Sequence, residues 1–317
     1  MKNIIIASIA FILILSSCRK KLDITIPKGK EHIVVNGIIT NDSLIKINIS
    51  KSQDILNNDT ITSLNNANVK LYNGETFIEN LTNYGYGNYA STISSEIGKQ
   101  YNISVSSGEL KPIKAKMQLI TPVQIVSIDT TIDIENNILG EGFASKQYKV
   151  HFKIKINDDA NTKNYYLLSI SSTNPIYDYE QDPPVLIGYY ETNQGFDTND
   201  IIFNGADAWF GIDDMYGQAF TDELINGKQY TINVNSSLYF NYYDEGVDTE
   251  GLQVKVKLLS ISEDIYKYII SYNLNQESEY DPFAQPVQIF TNIEDGLGLF
   301  SGYTMVIDSL GLDFLNK

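Results

Sequence analysis

Cysteine occurs once in the 317 residues, histidine twice and tryptophan once. A single thiol excludes a disulfide framework and a Cys-rich zinc site, and two imidazoles leave most His-dependent catalytic schemes without a base. Basic residues are also scarce: 23 Lys and Arg stand against 39 Asp and Glu, a net charge of −16 and a pI near 4.5. Nucleic acid is therefore not an expected partner, because its binding depends on basic surface that releases counterions. Catalytic templates are missing too, with no Gly-x-Ser-x-Gly elbow, no His-Glu-x-x-His and no Gly-rich phosphate loop ending in Lys. An enzyme here would have to rely on carboxylates and tyrosines, and the chain is read as non-enzymatic. What it has in quantity is apolar residues, 43% of the total, enough to build a core and to exclude disorder as the main state.

The most specific signal is at the N-terminus. Met1-Lys2 precedes an apolar run from Ile4 to Leu15, and Ser16-Ser17 leads to Cys18. The run is shorter than the ~20 residues of a relaxed membrane span, so residues 1–17 read as a secretory signal peptide. Leu15-Ser16-Ser17-Cys18 resembles the bacterial lipobox, in which small side chains fit the cleavage site and the new terminal thiol takes a diacylglycerol. The expected cofactor is thus covalent lipid on Cys18, whose chains contribute ~0.8 kcal/mol per buried methylene toward permanent anchoring. Residues 18–30 form the lipidated Cys and its tether. Arg19-Lys20-Lys21 can rest on anionic headgroups or stay solvated, and the face of the outer membrane that carries the anchor is left open.

After the tether, short runs of Ile, Val, Thr and Tyr alternate with polar residues between Asn, Asp and Gly clusters, the pattern of antiparallel sheet buried on one face. The fold class is mainly β. Strands are expected at 32–40, 44–50, 67–73, 76–82, 88–93, 100–107 and 113–120, which fits an immunoglobulin-like sandwich over 31–121. Gly87-Asn88-Tyr89 and Gly98-Lys99-Gln100-Tyr101 resemble turns of prealbumin-like modules. Thr121-Pro122 marks a boundary, since Pro cannot continue a central strand. A second antiparallel β domain over 122–317 has strands expected at 123–132, 147–156, 164–172, 185–191, 229–235 and 253–259. Ser260-x-x-Glu263 reads as a capping box, and Ile265, Tyr268, Ile269 and Tyr272 follow at helical spacing. They predict an amphipathic helix over 262–276 whose apolar stripe covers a sheet face.

Beyond the helix come Asp281-Pro282-Phe283-Ala284-Gln285-Pro286-Val287 and Thr291-Asn292-Ile293-Glu294-Asp295-Gly296-Leu297-Gly298-Leu299-Phe300-Ser301-Gly302-Tyr303. With Ile33–Thr40, Asn164–Leu168 and Phe220–Lys228, they resemble the signature of a Bacteroidota outer-membrane lipoprotein family known as domain of unknown function 4249. Asn36 and Asp295 depart from that pattern. The resemblance implies a gene beside a TonB-dependent, SusC-like receptor, and so an accessory role in nutrient capture or uptake. Read for themselves, the residues around Gly296 and Gly298 suggest a shaped loop that re-enters a sheet at Leu299 and Phe300.

Two features could bind ligands. Asp178, Glu180 and Asp182 alternate in an acidic loop before Pro183-Pro184, and either stay solvated or hold a hard cation such as Ca²⁺. Tyr177, Tyr179, Trp209, Tyr242 and Tyr243 lie in aromatic-rich stretches near carboxylates, the residue types that grip sugars or peptides. His32 and His151 fall in expected strands and read as structural. The leading expectation is a non-enzymatic outer-membrane lipoprotein that docks on a TonB-dependent receptor. A stand-alone glycan- or peptide-binding protein or adhesin is the alternative, and a carboxylate-dependent glycan hydrolase ranks behind both. Replacing Cys18→Ala should yield an unlipidated, retained precursor in lipid-labelling and mass measurements, and unchanged labelling would overturn the anchor.

Overall fold

The structure, a computed structural model, describes residues 29–54, 60–138, 144–178, 180–183, 185–204, 208–212, 215–239, 253–280 and 283–311. The signal peptide, Cys18 and most of the tether lie outside the described residues. As expected, the chain is mainly β, with one α-helix among the described residues.

Alternation sets the first pair of layers. In β1 (Ile33–Thr40) and β2 (Leu44–Lys51), Ile33, Val35, Ile39, Ile45, Ile47 and Ile49 are buried and their neighbours are more open. Period-two spacing puts them on one face. These strands share a sheet with β3 (Thr62–Ser63), β6 (Thr82–Gly85) and β7 (Asn88–Ser94). A separate four-stranded sheet, in the order β5-β4-β8-β9, comprises β4 (Asn68–Asn73), β5 (Thr76–Asn80), β8 (Gln100–Ser106) and β9 (Ile113–Gln118). It packs Val69, Leu71, Tyr101, Ile103, Val105 and Ile113 against the first, a sandwich compatible with the immunoglobulin-like reading. The expected strand 76–82 is in fact two, β5 and β6, because the chain crosses between layers at buried Leu81.

A second sandwich follows. Its smaller layer is β10 (Ile125–Ile138), β11 (Ala144–Asn157) and β16 (Gln229–Tyr239). Asp129 lies opposite Lys153 and Asp133 opposite Lys149, cross-strand pairs that favour this register. His151 stands between Asp133, 2.9 Å from Nε2, and Asn235, 2.6 Å from Nδ1, and the bond to Asp133 leads in holding its pKa above the usual value.

The other layer continues the first sheet with β12 (Tyr165–Asp178), β13 (Val185–Gln194), β14 (Trp209–Ile212), β15 (Met215–Thr221), β17 (Gln253–Ile261) and β18 (Leu297–Gly311). The full order is β14-β15-β12-β17-β18-β1-β2-β7-β6, with β13 on β12 and β3 on β2. Strands from before and after Thr121-Pro122 thus belong to one eleven-stranded sheet. Residues 165–172 of β12 are buried without interruption, as expected of a strand covered on both faces. Tyr166, Leu168 and Ile170 meet the three-stranded layer. Tyr165 and Leu167 meet helix α1 (Glu263–Tyr280) through its buried Ile265 and Ile269, so the apolar stripe covers a sheet face as expected.

The helix cap differs from the sequence expectation. Ser262, not Ser260, accepts the backbone N–H of Ile265 at 3.1 Å. Strand β17 continues through Ile261, which leaves Ser260 in the sheet, where its hydroxyl accepts from Val123 N at 3.0 Å. Glu263 pairs instead with Lys267, 3.1 Å away one turn on.

The chain re-enters a sheet as expected at Leu299 and Phe300, in β18, a fifteen-residue strand that begins two residues earlier, at Leu297, and so includes Gly298. Its first half, Leu297–Tyr303, runs parallel to β1 in register Val34–Thr40, and Tyr303–Gly311 runs antiparallel to β17. Gly298 has φ +99°, and a Cβ there would lie 2.0 Å from Val35 O. Gly108 also has positive φ, +54°, but open space around it. Gly298→Ala should therefore lower stability by about 3 kcal/mol and Gly108→Ala by about 1 kcal/mol, measured by urea denaturation. Equal losses would place the cost in φ alone and not in the close approach of β18 to β1.

Candidate functional site

Strand margins decide where a sheet can accept a partner, because an edge presents unpaired N–H and C=O groups. At the margins of the large sheet β14 and β6 have four residues each and β3 has two, lengths that blunt the edge. Strand β13 is different: it has ten residues, pairs with β12 on one side, and has no paired strand on the other among the described residues. Val185, Leu186, Ile187, Tyr189 and Tyr190 are all exposed, Ile187 by 64%, and across the hairpin Ile176 is exposed as well. No Lys or Pro interrupts Val185–Tyr190, so of the protections usual for an edge this stretch carries only a register shift, which leaves Ile187 without a partner in β12.

The root of this hairpin is clamped. Glu191 of β13 reaches over β12 to Lys255 and Lys257 of β17, at 2.6 Å from the former, and accepts from Ser171 at 2.9 Å. Burial opposes the charge of Glu191, but the two ammonium groups and the hydroxyl outweigh it and hold the carboxyl at about 2.

Several residues singled out in the sequence lie on this hairpin. Tyr177 is half-buried opposite Leu186. Asp178 ends β12 and accepts from Gln181 Nε2 at 2.8 Å and Glu180 N at 3.0 Å, bonds that draw its pKa down. Glu180 and Asp182 are exposed, and among the described residues no three Asp, Glu, His or Cys side chains converge as metal ligands. Trp209 sits by the hairpin root, half-buried against the second core, with its ring 4.9 Å from Phe196 and 5.7 Å from Tyr216. Tyr179, Tyr242, Tyr243 and Cys18 lie outside the described residues.

Two concavities were not anticipated. One, of about 370 Å³, opens where β12 begins, beside the first turn of α1. Phe203 and Phe220 contribute rings 5.0 Å apart, and Tyr165 and Tyr266 rings 5.1 Å apart. Lys163, Glu223, Glu263 and Lys267 complete it. The Lys163 ammonium lies 5.3 Å from the centre of the Tyr165 ring, and its bond to the hydroxyl raises the lysine pKa. Lys267 and then Tyr165 lower the pKa of Glu263, while burial raises those of Tyr165 and Tyr266. These residues come from four separate segments, and the only local sign of them is the four-residue spacing of Glu263 and Lys267. The other concavity, about 520 Å³, is a trough on the outer face of the four-stranded sheet formed by Tyr72, Asn102, Ser104, Lys114 and Lys116, with Glu294 bridged to the backbone of Lys114 at its side.

Residues 19–306 match the family described as Domain of unknown function (DUF4249). The chain belongs to this family. No curated protein matches it. Among solved structures it is similar to "Biofilm associated protein - BSP domain" at 10% identity and a TM-score of 0.13, over 78% of this chain and 58% of that one, a likeness too slight to carry an argument. In this DUF4249 member, the C-terminal signature builds the fold. Asn292 accepts from Phe300 N at 2.9 Å and donates to Phe300 O at 2.8 Å, completing the edge of β18 like a short strand. Asp295 has φ +64°, a conformation Asn and Asp tolerate, and pairs with Lys111 at 2.6 Å.

The depressed pKa of Glu191 has a definite sign. Its contribution to stability is complete above the ordinary value of 4.5 and is lost as pH falls toward about 2. Glu191→Gln should thus lower stability near neutrality by about 1 kcal/mol and flatten the acid limb of the stability curve, measured by urea unfolding from neutral pH to about pH 3. An unchanged acid limb would show that the clamp does not hold the hairpin.

Proposed function

We propose that this DUF4249 protein is a non-enzymatic outer-membrane lipoprotein that docks on a TonB-dependent receptor as an accessory subunit in nutrient capture or uptake. The observation that carries the docking role is the long, apolar, unpaired edge of β13. An extended segment of a partner can add to such an edge as a further strand, with main-chain hydrogen bonds giving affinity and alternate side chains giving choice of partner. Support for the membrane setting comes from the lipobox-like Leu15-Ser16-Ser17-Cys18, and for the receptor from the family resemblance and the gene neighbourhood it implies. No helix among the described residues is long and apolar enough to cross a membrane.

The alternative, a stand-alone glycan- or peptide-binding protein, draws on the 520 Å³ trough, where Tyr72, backed edge to face by Phe77, lies beside amide, hydroxyl and ammonium groups. Gentle detergent extraction of a C-terminally tagged copy from its native membrane, followed by mass spectrometry, separates the two. The accessory reading expects one large TonB-dependent barrel in near-equal amount, and expects Ile187→Lys with Tyr189→Lys to reduce that recovery about tenfold at unchanged thermal stability. Recovery of the lipoprotein alone would overturn it, as would full recovery of the barrel by the double variant.

A further inference from the structure

The cleft beside α1 has a wall chemistry that selects a ligand class. Ile202, Phe203 and Phe220, each at most 9% exposed, close an apolar floor, and the pair Tyr165 and Tyr266, with rings tilted 39° to each other, forms one side. A volume of about 370 Å³ is at the small end of ligand pockets, enough for one aromatic side chain and its head group but not for an oligosaccharide. Both signs of charge surround it. Glu263 and Lys267 are engaged with each other, and Lys163 rests on the Tyr165 ring. Glu223 is exposed and has no hydrogen-bond or ion-pair partner among the described residues, yet its charge acts on both Lys163 and Tyr266. An anion entering here meets Glu223 and Glu263, a cation meets Lys163 and Lys267, and a neutral apolar molecule strips water from all four without replacing it. A molecule with one positive and one negative group matches both sides at once.

We infer that this cleft binds a zwitterionic α-amino acid with an aromatic side chain. The ring lies against Tyr266, the one aromatic residue of the lining that is not buried, over the floor of Phe203 and Phe220, the ammonium faces Glu223, and the carboxylate faces Lys163. Glu263, paired with Lys267, bonds the Tyr165 side chain and so keeps Tyr165 and the Lys163 ammonium in position, and neither Glu263 nor Lys267 is itself a ligand contact. The site needs no receptor, so it stands or falls independently of the docking role.

Calorimetric titration of the detergent-solubilised full chain tests the assignment with three probes: L-phenylalanine, 3-phenylpropanoate, which lacks the ammonium, and phenethylamine, which lacks the carboxylate. L-Phenylalanine should bind with a Kd of about 1 mM or tighter, and each singly charged analogue about tenfold more weakly. Glu223→Gln should remove the preference over 3-phenylpropanoate only, and Lys163→Met the preference over phenethylamine only. Both side chains are exposed, so thermal stability should not change. Absence of L-phenylalanine binding up to about 10 mM, equal affinity for all three probes, or variants that leave the order of affinities intact would each overturn the proposal.

Discussion

Between Val34 and Thr40, β1 is bonded to β2 on one edge and, in parallel, to Leu297–Tyr303 of β18 on the other. Every other strand pairing in the described residues is antiparallel, and this one closes the longest loop in the chain. Closing so long a loop costs little more than closing a short one, because the entropy grows only with the logarithm of length. Its cost is kinetic, since non-local pairing is slow to find. What it secures is the continuity of the large sheet: β18 hands over at Tyr303 from β1 to β17 and so gives both sandwiches a common layer. Phe300 sits in the first core, while Leu299 and Tyr303 face the helix side of the second. One strand therefore has side chains in two cores, and small residues at 298 and 302 are what allow it to approach β1. A Cβ at 302 would sit 2.6 Å from Leu119 Cδ2 and 3.0 Å from Ile39 O.

Sequence alternation made the first sandwich readable. In β1 and β9 every second residue is buried, and the period alone identifies which. The helix was readable for the same reason, from Ile265 and Ile269, although its cap moved from Ser260 to Ser262. A local motif cannot know that the preceding strand runs on through Ile261, and the sheet claims Ser260 first. Strand β18 was the harder case. Gly296 and Gly298 look like turn residues, yet both lie against the backbone of β1 more than 250 positions earlier, which no window along the chain contains.

The candidate sites were less legible than the fold, and each for its own physical reason. The hairpin of β12 and β13 announced itself by its tyrosines and acids, but the free edge is a property of which strands fail to pair. The clamp at Glu191 joins three strands through Ser171, Lys255 and Lys257, residues whose spacing in the chain carries no pattern. The cleft collects Lys163, Phe203, Glu223 and Glu263 across a hundred residues, and none is distinctive alone. Charge composition misleads at this scale as well: a net of −16 argues against anionic partners of the whole surface, yet within the cleft lysines and glutamates balance.

Strand β12 links the two regions, since Tyr165 at its start forms a wall of the cleft and Ile176 near its end is part of the exposed hairpin. A shared strand does not by itself couple two sites. Coupling needs an element with two arrangements of similar energy, each favoured by one ligand. Over residues 165–172 β12 is buried on both faces and bonded to β17 throughout, and a slip by one residue would exchange Tyr166, Leu168 and Ile170 for Tyr165, Leu167 and Ser169 in the opposing core. Glu191 adds a further tie at the place where the strand leaves the sheet. The strand between the sites is therefore rigid, and a small molecule in the cleft and a protein strand on β13 should bind with additive free energies, as independent functions of one scaffold.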